Sequence, residues 1–134
     1  MELSPKKRDE LVDLAIRARE RSYSPYSHYA VGAALLAASG KIYTGVNIEN
    51  SAYPTSICAE RVAIFKAISE GERNFEAIAI ATENGGSPCG SCRQVMSEFS
   101  LQMKVIVVDD TGNIHIDASV DDLLPHAFTP EDLI

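Results

Sequence analysis

At the start of the chain apolar residues recur at helical spacing, and Leu11, Leu14, Ala15 and Ala18 would share one face of a helix over 4–21. Ser4 can cap that helix and Pro5 suits its first position. The stretch SYSPYSHY (22–29) breaks the period with serines and a proline, as a loop does. Two apolar runs follow in AVGAALLAASGKIYTGVNI (30–48); the Ser39-Gly40 step between them predicts a β-hairpin. ICAERVAIFKAISEG (57–71) predicts a second helix, with Gly71 as the residue just past its end. FEAIAIATE (75–83) is apolar on both faces, the mark of a central strand. NGGSP (84–88) is a turn leading into a third helix, CGSCRQVMSEFS (89–100). KVIVVDD (104–110) is another buried strand, and TGNIHIDA (111–118) an edge strand after the Thr111-Gly112 turn. The last stretch, VDDLLPHAFTPEDLI (120–134), predicts short helical pieces broken by prolines.

The predicted order is α-β-β-α-β-α-β-β-α. A helix between successive strands favours parallel pairing in the middle of the sheet, while the hairpins supply antiparallel neighbours. The expected fold is therefore α/β, a three-layer α/β/α arrangement around a five-stranded mixed sheet. At 134 residues, a single domain over 1–134 is expected. With 46% hydrophobic and 23% charged residues the composition is that of an ordinary globular chain.

Charge narrows the range of partners. The net charge of −7 disfavours binding to a phosphate backbone or an anionic membrane surface, both of which rely on clustered Lys and Arg. The expectation is no nucleic-acid partner, no membrane partner and a small-molecule ligand. No apolar run approaches the roughly 20 residues of a membrane helix. The opening MELSPKKRDELVDLA lacks the apolar stretch of a secretory signal, so a cytoplasmic location is expected.

Three cysteines, Cys58, Cys89 and Cys92, all fall at predicted helix starts. An odd number in a reducing compartment makes a poor disulfide framework, and clustered cysteines there more often bind metal or do redox work. Cys89 and Cys92 are spaced so that one helical turn can aim both sulfurs at one point, with Cys58 adding a third from the other helix. Helix N-termini favour thiolate over thiol. Three protein ligands leave tetrahedral zinc one position short, as catalytic rather than structural sites do. His28, His115 and His126 are the candidates for closing the site, but none sits beside either cysteine motif.

Glu60 would then lie beside a water activated by the metal, placed to accept and pass on its proton. Cys-x-Glu at one helix start and Pro-Cys-x-x-Cys at another match the general zinc-deaminase signature, with cysteine in the histidine position. Arg61 would offset the negative charge of three thiolates around Zn²⁺. Singly, each residue has a plainer explanation. The Cys-x-x-Cys pair also suits a redox couple, Cys58 a small buried apolar residue, and Glu60 with Arg61 a solvated helix stripe. It is their combination at these spacings that points to metal.

The segments CAERVAIFKAISEG and SPCGSCRQV closely resemble the small homotetrameric cytidine deaminases, as do YSPYSHYAVGAALL, GVNIENSAYP and LLPHAF. The resemblance spans nearly the whole chain in the right order. It implies one Zn²⁺ per chain held by Cys58, Cys89 and Cys92, with Glu60 moving the proton. It implies zinc-dependent hydrolysis of cytidine and deoxycytidine to uridine and deoxyuridine, with ammonia released, as in pyrimidine salvage. Asn47 and Glu49 would bind the sugar 3′-hydroxyl, and the Ala59 N–H the pyrimidine O2. Tyr29 would pack on the nucleoside, and Phe128 would reach in from a neighbouring subunit of a homotetramer with shared active sites. Where this chain has Tyr29 the family usually has Phe, so an extra hydroxyl needs a partner there.

Alternatives remain at the level of sequence. Deaminases of cytosine-nucleoside antibiotics resemble the chain around both zinc motifs, though Asn47 and Glu49 favour a plain nucleoside. Deaminases of DNA or RNA share the chemistry but call for a basic face. A zinc-stabilised interaction module would have a fourth protein ligand, and a thiol redox protein would need Cys89 and Cys92 but not Glu60.

Overall fold

The computed structural model describes residues 3–133. Its first helix, α1 (Pro5–Ala18), is capped by the Ser4 hydroxyl, which accepts from the Lys7 N–H at 3.1 Å. It tightens into a 3₁₀ turn over Arg19–Arg21, so the helix expected to Arg21 keeps its α geometry only to Ala18. The hairpin follows as β1 (Gly32–Ala37) and β2 (Ile42–Val46), and Gly40 turns it with φ of 94°. Helix α2 (Ala59–Ser69) comes next and stops before Gly71, whose φ of 99° confirms its place past the helix end. Then come β3 (Phe75–Ala81), α3 (Gly90–Phe99), β4 (Lys104–Val108), β5 (Ile114–Ser119) and the single turn α4 (Val120–Leu123).

The five strands form one mixed sheet in the order β2-β1-β3-β4-β5. Only β3 and β4 pair in parallel; the other three pairings are antiparallel. The helical connection through α3 accounts for the parallel pair, as expected. The connection through α2 has a different outcome, because β1 lies between β2 and β3 and runs antiparallel to both. β3 sits at the centre with almost every residue buried, and β5 forms an edge with no fully buried position.

Period-2 alternation divides the core into two layers. Ala33, Leu35, Ile78, Ile80, Val105 and Val107 face α2 and α3, together with Ala63, Ile64 and Met96. Ala34, Leu36, Ala77, Ala79, Ile106 and Val108 face α1, where Leu11 and Ala15 meet them. Each buried Val, Leu, Ile or Met side chain contributes about 1.5–3 kcal/mol by leaving water and each alanine less, and together they fix the strand register. Gly45 brings α2 unusually close to the sheet: a Cβ there would lie 2.5 Å from the Ala59 carbonyl oxygen. The helix start carrying Cys58, Ala59 and Glu60 is thereby pressed against β2.

Candidate active site and metal centre

The topology gathers the candidate residues at one end of the sheet. β2 ends at Val46 and runs directly into Asn47, Ile48 and Glu49; β3 ends at Ala81 and leads through 82–88 to Cys89. The antiparallel β1 begins at this same end, just after Tyr29. The N-termini of α2 and α3 also converge there. Ligand sites of open α/β sheets commonly lie at such an end, outside the carboxyl termini of parallel strands. A cleft of about 410 Å³ occupies the position, and Tyr29, Asn47, Glu49, Cys58, Glu60 and Cys89 are among its lining residues.

Cys58 and Cys89 are the N-caps of α2 and α3, and the Cys89 sulfur accepts from the Cys92 N–H at 3.4 Å. The sulfurs of Cys58 and Cys89 lie 3.8 Å apart and those of Cys89 and Cys92 3.3 Å, with all three within 4.8 Å of one another. These separations exceed the roughly 2.05 Å of a disulfide. They fit a metal instead, since tetrahedral bonds of about 2.3 Å to zinc place ligand sulfurs about 3.8 Å apart. Among the described residues no histidine or carboxylate joins the cluster as a fourth ligand. His115 instead bonds through Nε2 to Asp109 at 2.8 Å.

The electrostatics favour anionic sulfur. A hydrogen bond from the Cys92 thiol and another from Arg61 bring the Cys58 thiol down to about 5, against the opposing effect of burial. The Cys92 thiol is correspondingly raised by its bond to Cys58 and by burial. Arg61 Nη2 donates to the Cys58 sulfur at 3.4 Å, the contact that balancing the thiolates requires.

Glu60 is only 4% exposed, yet it lines the same cleft. Burial pushes its carboxyl above the ordinary glutamate range. A carboxyl whose hold on its proton is strengthened in this way is suited to general acid–base chemistry. Ala59, fully buried, opens α2, so its N–H is among the four that lack an intrahelical acceptor.

The polar residues on the opposite wall are tightly organised. Asn47 Oδ1 accepts from the Val31 N–H at 2.9 Å and from the Ser22 hydroxyl, while Nδ2 donates to the Tyr29 carbonyl at 2.7 Å. One Nδ2 hydrogen is left for a ligand. Glu49 Oε1 accepts from the Tyr26 and Ser27 N–H groups at 3.0 and 3.1 Å, and Oε2 from the Ser27 hydroxyl. The hydroxyl bond is the chief reason that Glu49 is held below the usual carboxylate range. The Tyr29 hydroxyl finds its partner in Asn84, whose Oδ1 accepts it at 2.7 Å.

Phe128 is not among the residues lining this cleft; it is 56% exposed, and its carbonyl accepts from Gln94 Nε2 at 2.8 Å. Sequence reasoning missed Ser27, Thr82, Asn84 and Gly86, which line or frame the cleft. Ser27, Asn84 and Gly86 sit in ordinary loop and turn sequence and Thr82 near the end of the strand expected over 75–83, so none carries a chemical signal of its own.

A three-cysteine centre beside a buried glutamate is the constellation of a zinc-dependent deaminase. Residues 5–109, more than half of the chain, match the model of the cytidine and deoxycytidylate deaminase zinc-binding region, and the chain belongs to that family. The cofactor is zinc, and Cys58, Cys89 and Cys92 lie together as its site requires. A cytidine deaminase of Sporosarcina psychrophila is 50% identical over 128 residues, covering 93% of both chains. One of Halalkalibacterium halodurans is 48% identical, covering 94% of this chain and 97% of its own. The crystal structure of a cytidine deaminase from Burkholderia pseudomallei superposes with a TM-score of 0.86 at 42% identity, covering 90% of this chain and 98% of that one.

Proposed function

We propose that this protein hydrolyses cytidine and deoxycytidine to uridine and deoxyuridine, releasing ammonia. The observation that carries this reading is the buried Glu60 carboxyl on the same cleft as three cysteine sulfurs that have no fourth protein ligand among the described residues. Family membership and the cytidine deaminases among the relatives support it.

Cys58, Cys89 and Cys92 would hold the zinc, which would supply Lewis acidity and a water nucleophile near neutral pH. This chain's residues supply the rest. As the water oxygen bonds to C4 of the pyrimidine, Glu60 takes one of its protons and delivers it to N3; Glu60 then passes the remaining proton of that oxygen to the amino group, the C4–N bond breaks and ammonia leaves. The Ala59 N–H, at the positive end of α2, donates to the pyrimidine O2. Arg61 limits the charge that the thiolates place on the metal. Glu49 accepts from the sugar hydroxyl and the spare Nδ2 hydrogen of Asn47 donates to it, while the Tyr29 ring forms a wall of the nucleoside pocket.

A nucleoside fits this cleft better than a nucleotide. Arg61 is the one cation among the cleft-lining residues and already serves Cys58, and ionised Glu49 would repel a nearby phosphate. The protein acts as a cytoplasmic homotetramer in which Phe128 completes a neighbour's site; its exposure on the single chain supports that role. No described helix is long and apolar enough to cross a membrane.

The test is ammonia release from cytidine, deoxycytidine, deoxycytidylate and cytosine-nucleoside antibiotics by the purified zinc protein. Turnover of the two plain nucleosides, with deoxycytidylate a poor substrate, is expected. Zinc-loaded protein that leaves both nucleosides untouched would refute the assignment.

A further inference from the structure

Tyr29 is tied to its surroundings at three points, and they belong to different parts of the cleft. Its N–H donates to the Ser27 hydroxyl oxygen at 3.0 Å, and Ser27 in turn bonds Glu49. Its carbonyl accepts from Asn47 Nδ2 at 2.7 Å. Its phenolic hydroxyl crosses to the loop before Cys89 and donates to Asn84 Oδ1 at 2.7 Å. That loop is itself stiffened, because Thr82 Oγ1 accepts from the Gly85 and Gly86 N–H groups at 2.7 and 2.9 Å. Gly86 makes room for the phenol: a Cβ there would stand 2.4 Å from the Tyr29 hydroxyl oxygen.

We propose that Asn84 is a positioning residue for the nucleoside, acting through the Tyr29 hydroxyl to hold the aromatic wall in register with the loop that presents Cys89. A loop aromatic without that bond would keep its side-chain rotation and pay for its ordering when substrate binds. The bond makes that ordering intrinsic to the free enzyme and fixes the distance between the sugar-binding side and the metal side. Asn84 does not touch the reacting atoms, so its loss acts on binding more than on chemistry.

This inference rests on the proposed nucleoside deamination, and the experiment separates the two. Steady-state kinetics on cytidine and zinc content are measured for wild type, Asn84→Ala, Asn84→Asp, Tyr29→Phe, the Asn84→Ala/Tyr29→Phe double variant and Gly86→Ala. One neutral hydrogen bond predicts a rise in KM of about 3- to 10-fold for Asn84→Ala, with a smaller change in kcat and zinc retained. Asn84→Asp keeps an acceptor and restores KM to within about twofold of wild type. Tyr29→Phe matches Asn84→Ala, and the double variant is no worse than either, because one bond is lost in all three. Gly86→Ala displaces the hydroxyl with both partners present and raises KM likewise. Wild-type KM in Asn84→Ala, or additive effects in the double variant, would overturn the proposal. Wild-type zinc protein inert towards cytidine would instead overturn the activity on which it rests.

Discussion

The Glu49 carboxylate accepts from two backbone N–H groups and one hydroxyl of the 22–29 loop, so its charge helps to fold that loop. Because these bonds lower its folded-state pKa beneath the ordinary 4.5, the ionised form is favoured in the native state. The resulting stability is fully present above the unfolded value and is lost as pH falls through the folded one. Urea unfolding of wild type and Glu49→Gln should therefore show a gap at pH 6–7 that narrows on acidification below about 4.5. A gap independent of pH would contradict this role. The three clustered cysteines, and Glu60 on the same cleft, could be picked out in the sequence as candidates, because cysteines at helix starts have few other reasons to recur at metal-ligand spacing. Ser22 and Asn84 were not. Their partners, Asn47 and Tyr29, lie 25 and 55 residues away in sequence, and only the fold brings them together.

Among the elements, the start of α2 is the one whose placement matters most. Cys58 stands at its N-cap position, Cys89 at that of α3 and Cys92 in the first turn of α3, so the sulfur cluster exists only if both helix starts are held in register. Gly45 permits that approach, lying beneath the Ala59 carbonyl and the Ala63 N–H. Gly45→Ala should cost about 1–3 kcal/mol by overpacking and reduce zinc retained per chain. Urea unfolding and metal analysis would check both, and full stability with full zinc would show that α2 can move without penalty. Hairpins, turns and helix caps were readable because Gly, Ser and Pro impose them locally. The start of α2 was read two residues early, since Ile57 leaves helical geometry to bridge Ile48. The 3₁₀ turn at Tyr53–Thr55 was likewise unforeseen, lying in a stretch with no periodic signal.

For the whole molecule, alternating apolar runs and interleaved helices specified a mixed sheet with helices on both faces. The insertion of β1 between β2 and β3 is a choice among topologies that local pattern does not encode. Assembly is a further step in the proposed account. Tyr23, Tyr53 and Phe128 are each more than half exposed on the single chain, and the homotetramer would cover such surface. Native mass spectrometry should give four times the 14.5 kDa of one chain, and Phe128→Ala should raise KM for cytidine with zinc retained. A monomer of full activity would refute the shared site. The central claim, that an open three-cysteine zinc centre works with Glu60 as its proton carrier, is tested most directly by comparing wild type with Glu60→Gln in ammonia release from cytidine, with zinc measured in both. Loss of about 100-fold or more in kcat with about one zinc per chain retained is the predicted result. Unchanged turnover in Glu60→Gln, zinc still bound, would contradict it.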